Sequence, residues 1–109
     1  MQHLRTTQAE PARFVAGSGP VGEYLYGLYA AYYADHCARS KELWDIGAIA
    51  WLVNPTWVPT ALIRSPILPS AQTWSQDPRR PLLREALTVQ RDPIVAELFG
   101  KLRAEPPGR

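Results

Sequence analysis

The chain has 109 residues, a formal net charge of +2 and 20% charged side chains, which bounds it to one domain or part of one. No run of Lys or Arg exceeds the adjacent pair Arg79-Arg80, so a phosphate-tracking surface, and with it nucleic acid as a partner, is not expected. Cys37 is the only cysteine, which excludes an internal disulfide and fits a reducing, cytoplasmic setting, with the thiol expected as a small buried hydrophobe.

The opening segment, Met-Gln-His-Leu-Arg-Thr-Thr, lacks the apolar core of a secretory signal, and no apolar run approaches the roughly 18 residues a membrane span needs. An untargeted chain without a membrane partner is the expectation. Proline and glycine then divide the sequence: Gly17 to Pro20, Asn54-Pro55, Pro66, Pro69, Asp77-Pro78, Pro81 and Pro106-Pro107 mark the breaks.

A short helix is expected near Thr7 to Ala16, opened either by a capping box of Thr7 with Glu10 or by Pro11 in the first helical position. A second helix runs from about Pro20 to Ala38, with Val21, Leu25, Leu28 and Tyr32 on one face and Tyr24 and Tyr29 widening it. Five tyrosines between Tyr24 and Tyr33 stand at helical spacing, which points to packed core or interface rather than a ligand-stacking surface. His36 beside Cys37 does not make a zinc site, because no second His or Cys is near enough to complete about four ligands.

Lys41 to Leu52 reads as a buried helix, and from Ile46 to Val53 almost every side chain is apolar around the circumference, so enclosure on all sides is expected until Asn54-Pro55 ends it. Thr60 to Leu68 and Leu83 to Gln90 lack a 3.6-residue period and are expected as strands, the second alternating Leu83, Glu85, Leu87, Val89 against Arg84, Ala86, Thr88, Gln90. A last helix begins with Asp92 as its cap and Pro93 in the first turn, with Ile94, Leu98, Phe99 and Leu102 inward; residues 104–109 are expected as a frayed tail. Trp51 and Trp57 are expected in the core and Trp74 over a strand.

Asp45 is the residue most suggestive of function. It opens the apolar run, and a carboxylate buried there would need hydrogen bonds, a cation or a metal. Capping of the following helix accounts for the same position.

The segment Lys41-Glu-Leu-Trp-Asp-Ile-Gly-Ala-Ile-Ala-Trp-Leu-Val-Asn-Pro55 resembles the C-terminal signature of the inosine-uridine preferring nucleoside hydrolases. Leu4 to Thr7, Gly19 to Leu25, Arg64 to Ile67 and Asp92 to Phe99 are similar to what that family has in the same order. The resemblance covers nearly the whole chain and implies a single partial domain, residues 1–109, corresponding to the closing third of a longer α/β domain. That domain has a Rossmann-like mixed sheet, of which this portion would be helix-rich with two or three strands.

The resemblance further implies hydrolysis of the N-glycosidic bond of ribonucleosides at one tightly held Ca²⁺, with Asp45 on a calcium-ligating position and an aspartate from the N-terminal motif taking the proton of the attacking water. Trp44 falls where the family faces the leaving base; tryptophan there belongs to the purine-preferring branch, and an indole can stack on a purine. The family's N-terminal cluster, Asp-x-Asp-x-Gly-x-Asp-Asp, is absent. Calcium takes about six to eight oxygens, and the four aspartates Asp35, Asp45, Asp77 and Asp92 form no ligating loop. The expectation is therefore a chain without a calcium site or hydrolase activity of its own, active only with an N-terminal fragment or a full-length hydrolase subunit and meeting nucleoside only in the assembled site. Two other readings stand beside it: an interaction module that pairs with a hydrolase or with itself, and a nucleobase-binding domain using Trp44 without metal.

Overall fold

The structure, a computed structural model, describes residues 3–32, 39–68 and 73–103. Its first strand, β1 (Arg5–Thr7), leads into helix α1 (Ala9–Phe14), and a tight turn connects to helix α2 (Pro20–Tyr32). Strand β2 (Ser40–Glu42) returns antiparallel to β1, pairing Thr6 with Lys41, while Arg5 and Glu42 form an ion pair across the ladder. Helix α3 (Ile46–Val53) and a single 3₁₀ turn (Pro55–Trp57) follow. Strands β3 (Thr60–Arg64) and β4 (Leu82–Ala86) make a second antiparallel ladder, and helix α4 (Arg91–Arg103) closes the described chain.

The start of α1 meets neither expectation in full. The helix opens at Ala9 after Gln8, not at Thr7, yet the Glu10 carboxylate reaches back and accepts from the Thr7 N–H (3.4 Å) and the Thr6 hydroxyl (2.7 Å), which is the returning half of a capping box. Pro11 lies in the first turn, where its missing N–H costs no intrahelical bond. The turn after α1 uses Gly17 and Gly19 at positive φ (75° and 103°). Gly22 then lets α2 come close: a Cβ there would sit 2.1 Å from Ser18 Oγ and 2.7 Å from the Val15 carbonyl.

The core gathers at the seam where α4 meets α1, α2 and the 3₁₀ turn, with β1 and α3 alongside. Leu4, Val15, Ala50, Val58, Val89, Ile94, Val95 and Phe99 are buried there, with Tyr26, Leu43, Ile46, Trp51, Trp57, Leu98 and Leu102 packed against them. Ile94, Leu98, Phe99 and Leu102 thus face inward as expected, although α4 opens at Arg91, so Asp92 lies inside the first turn and is not the cap. Trp51 and Trp57 are half-buried on the core, and the Arg84 guanidinium lies 5.5 Å from the Trp51 ring centre.

Several expectations are corrected. Lys41 and Glu42 belong to a strand rather than to a buried helix, because their backbone pairs with β1. Helix α3 has the expected bounds but is not enclosed: Gly47 and Ala50 are buried, while Ile49, Leu52 and Val53 face outward, Leu52 at 74% exposure. The expected inner face of α2 is likewise uncovered, since contact with the core runs through Gly22 and Tyr26 and leaves Val21, Leu25, Leu28 and Tyr32 outside.

β3 ends at Arg64 and β4 at Ala86; beyond them the bonds from Ser65 N–H to the Pro81 carbonyl and from Leu87 N–H to the Pro59 carbonyl, and the bridge between Ile67 and Ser75, continue the pairing. Trp74, expected over a strand, is mostly exposed. Four short strands replace the two or three expected. Among the described residues all ladders are antiparallel and two-stranded, so these strands do not form a single mixed Rossmann-like sheet, which needs neighbours on both sides of parallel strands. Mixed helix and strand is the fold class. Tyr33, Asp35, His36, Cys37, Ala38 and the expected tail at 104–109 lie outside the described residues.

The surface area, 8178 Å², exceeds the roughly 6,100 Å² of a compact monomer of this mass. The radius of gyration, 17.6 Å, likewise exceeds the roughly 13 Å of a compact domain of this length. Among the described residues no helix is long and apolar enough to cross a membrane.

One polar node ties the ends of the chain together. Arg91 donates from Nε to the Arg5 carbonyl (2.6 Å), from Nη2 to the Glu10 carboxylate (2.5 Å) and from Nη1 to Asp92 (3.0 Å), joining β1, α1 and α4. Partial burial would push the Glu10 carboxyl up, but the bonds from Thr6 and Arg91 outweigh it and hold that carboxyl below its ordinary value. Arg91→Ala is expected to lower stability in urea unfolding by about 2 kcal/mol at neutral pH, and a loss under about 0.5 kcal/mol would show the node to be idle. Because the folded-state pKa of Glu10 is depressed, its contribution is present above the unfolded glutamate value of about 4.3 and disappears as pH falls below it, so the gap between wild type and Glu10→Gln should narrow in acid.

Candidate functional site

Leu43 and Ile46 anchor the corner between β2 and α3. Leu43 donates its N–H to the Leu4 carbonyl (2.9 Å), extending the β1 contact by one residue, and both side chains pack on the core. The chain reverses between these anchors, with Ile46 N–H bonded to the Leu43 carbonyl (3.2 Å) and Gly47 N–H to the Trp44 carbonyl (3.1 Å). Trp44 and Asp45 occupy the turn and are turned outward by the inward pull of their neighbours, Trp44 at 58% exposure.

This overturns the premise that Asp45 is buried: its carboxylate is exposed and carries no desolvation cost that a metal would have to relieve. Asp45 does stand at the N-cap position of α3. Its backbone is already helical there (φ −67°, ψ −26°), unlike the extended geometry of a capping aspartate, and its side chain accepts no capping bond. Asn54 is the side chain that caps here, accepting from the Thr56 N–H (3.1 Å) and hydroxyl (2.7 Å) to start the 3₁₀ turn.

The structure brings Trp44 and Asp45 together, and the nearest carboxylate in sequence, Glu42, is engaged by Arg5. Asp77 holds Arg79 through its backbone N–H (2.9 Å) and guanidinium (3.0 Å), which keeps the Asp77 carboxyl below its usual range, and Asp92 is paired with Arg91; Asp35 lies outside the described residues. Among the described residues no three His, Cys, Asp or Glu side chains cluster closely enough to hold a metal ion. One carboxylate offers two oxygens where calcium takes about six to eight, so the residues present do not fit a complete calcium site.

Two features escaped the sequence reading. A groove of about 500 Å³ runs beside the Trp44-Asp45 corner, walled by Leu25, Leu28 and Tyr32 of α2, by Leu43 and Ile46, and by Leu102 of α4. It is almost wholly apolar, and only the wrong assignment of the α2 inner face concealed it. The second is the Glu10–Arg91 pair, separated by most of the chain; Glu10 was legible through its spacing from Thr7, while nothing near Arg91 in sequence signals a partner.

The chain matches no family model, no curated protein and no solved structure.

Since the Asp45 side chain neither caps α3 nor is buried, Asp45→Ala is expected to leave the stability of the chain within about 0.5 kcal/mol of wild type in urea unfolding. A loss above about 1 kcal/mol would restore the capping role.

Proposed function

We propose that the chain is the C-terminal part of a nucleoside hydrolase domain, inactive alone, whose Trp44-Asp45 corner completes a site built on another polypeptide. The observation that carries this reading is the outward placement of an indole and an unengaged carboxylate beside uncovered apolar side chains of α3, Ile49, Leu52 and Val53. An exposed indole and carboxylate with bare apolar side chains further along the same helix fit a surface that another polypeptide would cover. The resemblance of residues 41–55 to the nucleoside hydrolase signature supplies the chemistry: a ribonucleoside, preferably a purine one, held with its base against Trp44.

Each residue has a limited part. Trp44 offers a flat apolar face on which a base can stack, and Asp45 offers up to two oxygens towards a cation or a ribose hydroxyl. The calcium ion of the resembled family would supply positioning of sugar and water, but its remaining donors and the proton acceptor must come from outside the described residues. A non-catalytic reading rests on the same exposed indole: the corner binds nucleobases within a larger assembly and cleaves nothing.

Reconstitution separates these. The chain mixed with the N-terminal portion of a nucleoside hydrolase that carries the Asp-x-Asp-x-Gly-x-Asp-Asp cluster is expected to release ribose from inosine only when Ca²⁺ is present. Asp45→Asn in the mixture should lower the rate by about a hundredfold or more. Ribose release by the chain alone, or a mixture indifferent to Asp45→Asn, would overturn the proposal. Quenching of Trp44 emission by inosine in an inactive mixture, absent in Trp44→Phe, would leave the nucleobase-binding reading in its place.

A further inference from the structure

We infer that one face of the β3–β4 ladder is a docking surface for an anionic lipid bilayer, entered by leucines and held by arginines. In an antiparallel ladder directly opposed residues share a face, and alternate residues of each strand return to it. The register pairs Leu62 with Arg84 and Arg64 with Leu82, so these four side chains stand on one side. All four are exposed, Leu62 at 59% and Leu82 at 54%, and each leucine lies opposite an arginine. Apolar and cationic groups therefore alternate at one level. The other side carries Ala61, Ile63 and Leu83, which are half-buried, and Glu85.

Charge on this face is uncompensated. Arg64 donates from Nη1 to the Arg80 carbonyl (3.0 Å), Arg84 from Nη1 to the Thr60 hydroxyl (3.0 Å), and Arg80 from Nη2 to the Ser65 hydroxyl (3.4 Å). These partners are neutral, so they orient the guanidinium groups without cancelling their charge. The acids of the hairpin are Asp77, which is held by Arg79, and Glu85, which stands on the opposite side across from Ala61. Among the described residues no carboxylate pairs with Arg64, Arg80 or Arg84. No run of basic residues announces this surface in the sequence, because strand pairing is what makes Arg64 and Arg84 diagonal neighbours.

The mixture of groups selects the occupant. Arginines alone would suit any polyanion, but a nucleic-acid backbone offers no apolar phase for leucines set between them. The boundary between headgroups and acyl chains receives both kinds at one level: leucines enter it, while arginine stems lie along it with the guanidinium groups at the phosphates. The apolar series continues along the hairpin, where Leu68 and Trp74 flank the bridged pair Ile67 and Ser75 and are 61% and 71% exposed. Tryptophan is favoured at that depth, its ring apolar and its N–H wet. The face does not include the Trp44-Asp45 corner, so the inference stands apart from the proposed function.

Flotation of the full chain with vesicles tests it. Vesicles of phosphatidylcholine with about one third phosphatidylserine are expected to carry the chain at low salt, and pure phosphatidylcholine vesicles are not. Arg64→Gln and Arg84→Gln should each weaken binding by about fivefold, and Leu62→Ser with Leu82→Ser by about tenfold, while the far-ultraviolet dichroism stays unchanged. Absence of binding, equal binding to pure phosphatidylcholine, or vesicle binding indifferent to the arginine changes would overturn the inference. Loss with the arginines but not with the leucines, or tighter binding to poly-glutamate or duplex DNA than to vesicles, would overturn it in favour of a plain polyanion surface.

Discussion

The small size of the buried core governs the rest of the molecule. Its side chains come from widely separated points, from Leu4 to Phe99, and converge on one seam, while Val21, Leu25 and Leu28 of α2 and Ile49, Leu52 and Val53 of α3 stay exposed. A helix apolar on all sides is stable in water only when other elements surround it. Here α3 is held along Gly47 and Ala50, with Ile46 and Trp51 packed against the core, while Ile49, Leu52 and Val53 remain outside. The exposed apolar surface on α2 and α3 is therefore what the proposed assembly with another polypeptide would cover.

Polar contacts fill part of the role that a larger core would have. Arg91 fastens the first strand and first helix to the last, and Tyr29 donates to the Thr6 carbonyl (2.9 Å), holding α2 against β1. These bonds fix the frame in which β2 runs beside β1 and in which the corner after β2 projects outward. Trp44 and Asp45 owe their exposure to that frame: Leu43 and Ile46 turn in, and the two residues between them turn out. The same anchors wall the apolar groove, so the corner and the groove follow from one local geometry.

Local signals were legible in the sequence, and long-range ones were not. Asn54-Pro55 fixed the end of α3 because a proline forces the residue before it out of helical geometry, and the spacing of Ile94, Leu98, Phe99 and Leu102 identified the inner side of α4 because that helix does pack on the core. β1 and β2 were missed because three-residue strands have too few positions to show alternation, and their existence rests on pairing across more than thirty residues of chain. The inner side of α2 was misread because hydrophobic spacing locates an apolar stripe without saying whether this chain covers it. Asp45 was misjudged for a related reason: apolar neighbours in sequence were taken as apolar surroundings in space, and at a corner the two differ.

The central claim is that the Asp45 carboxylate belongs to a cation site whose other donors lie on another polypeptide. Terbium luminescence tests it most directly, because Tb³⁺ occupies oxygen-ligated calcium sites and is excited through an adjacent indole, the role Trp44 would play. Sensitised emission is expected when the chain is combined with the N-terminal portion of a nucleoside hydrolase, and it should vanish with Trp44→Phe or Asp45→Asn and be displaced by Ca²⁺. Strong, Ca²⁺-displaceable emission from the chain alone, or emission in the mixture that survives both substitutions, would contradict the claim.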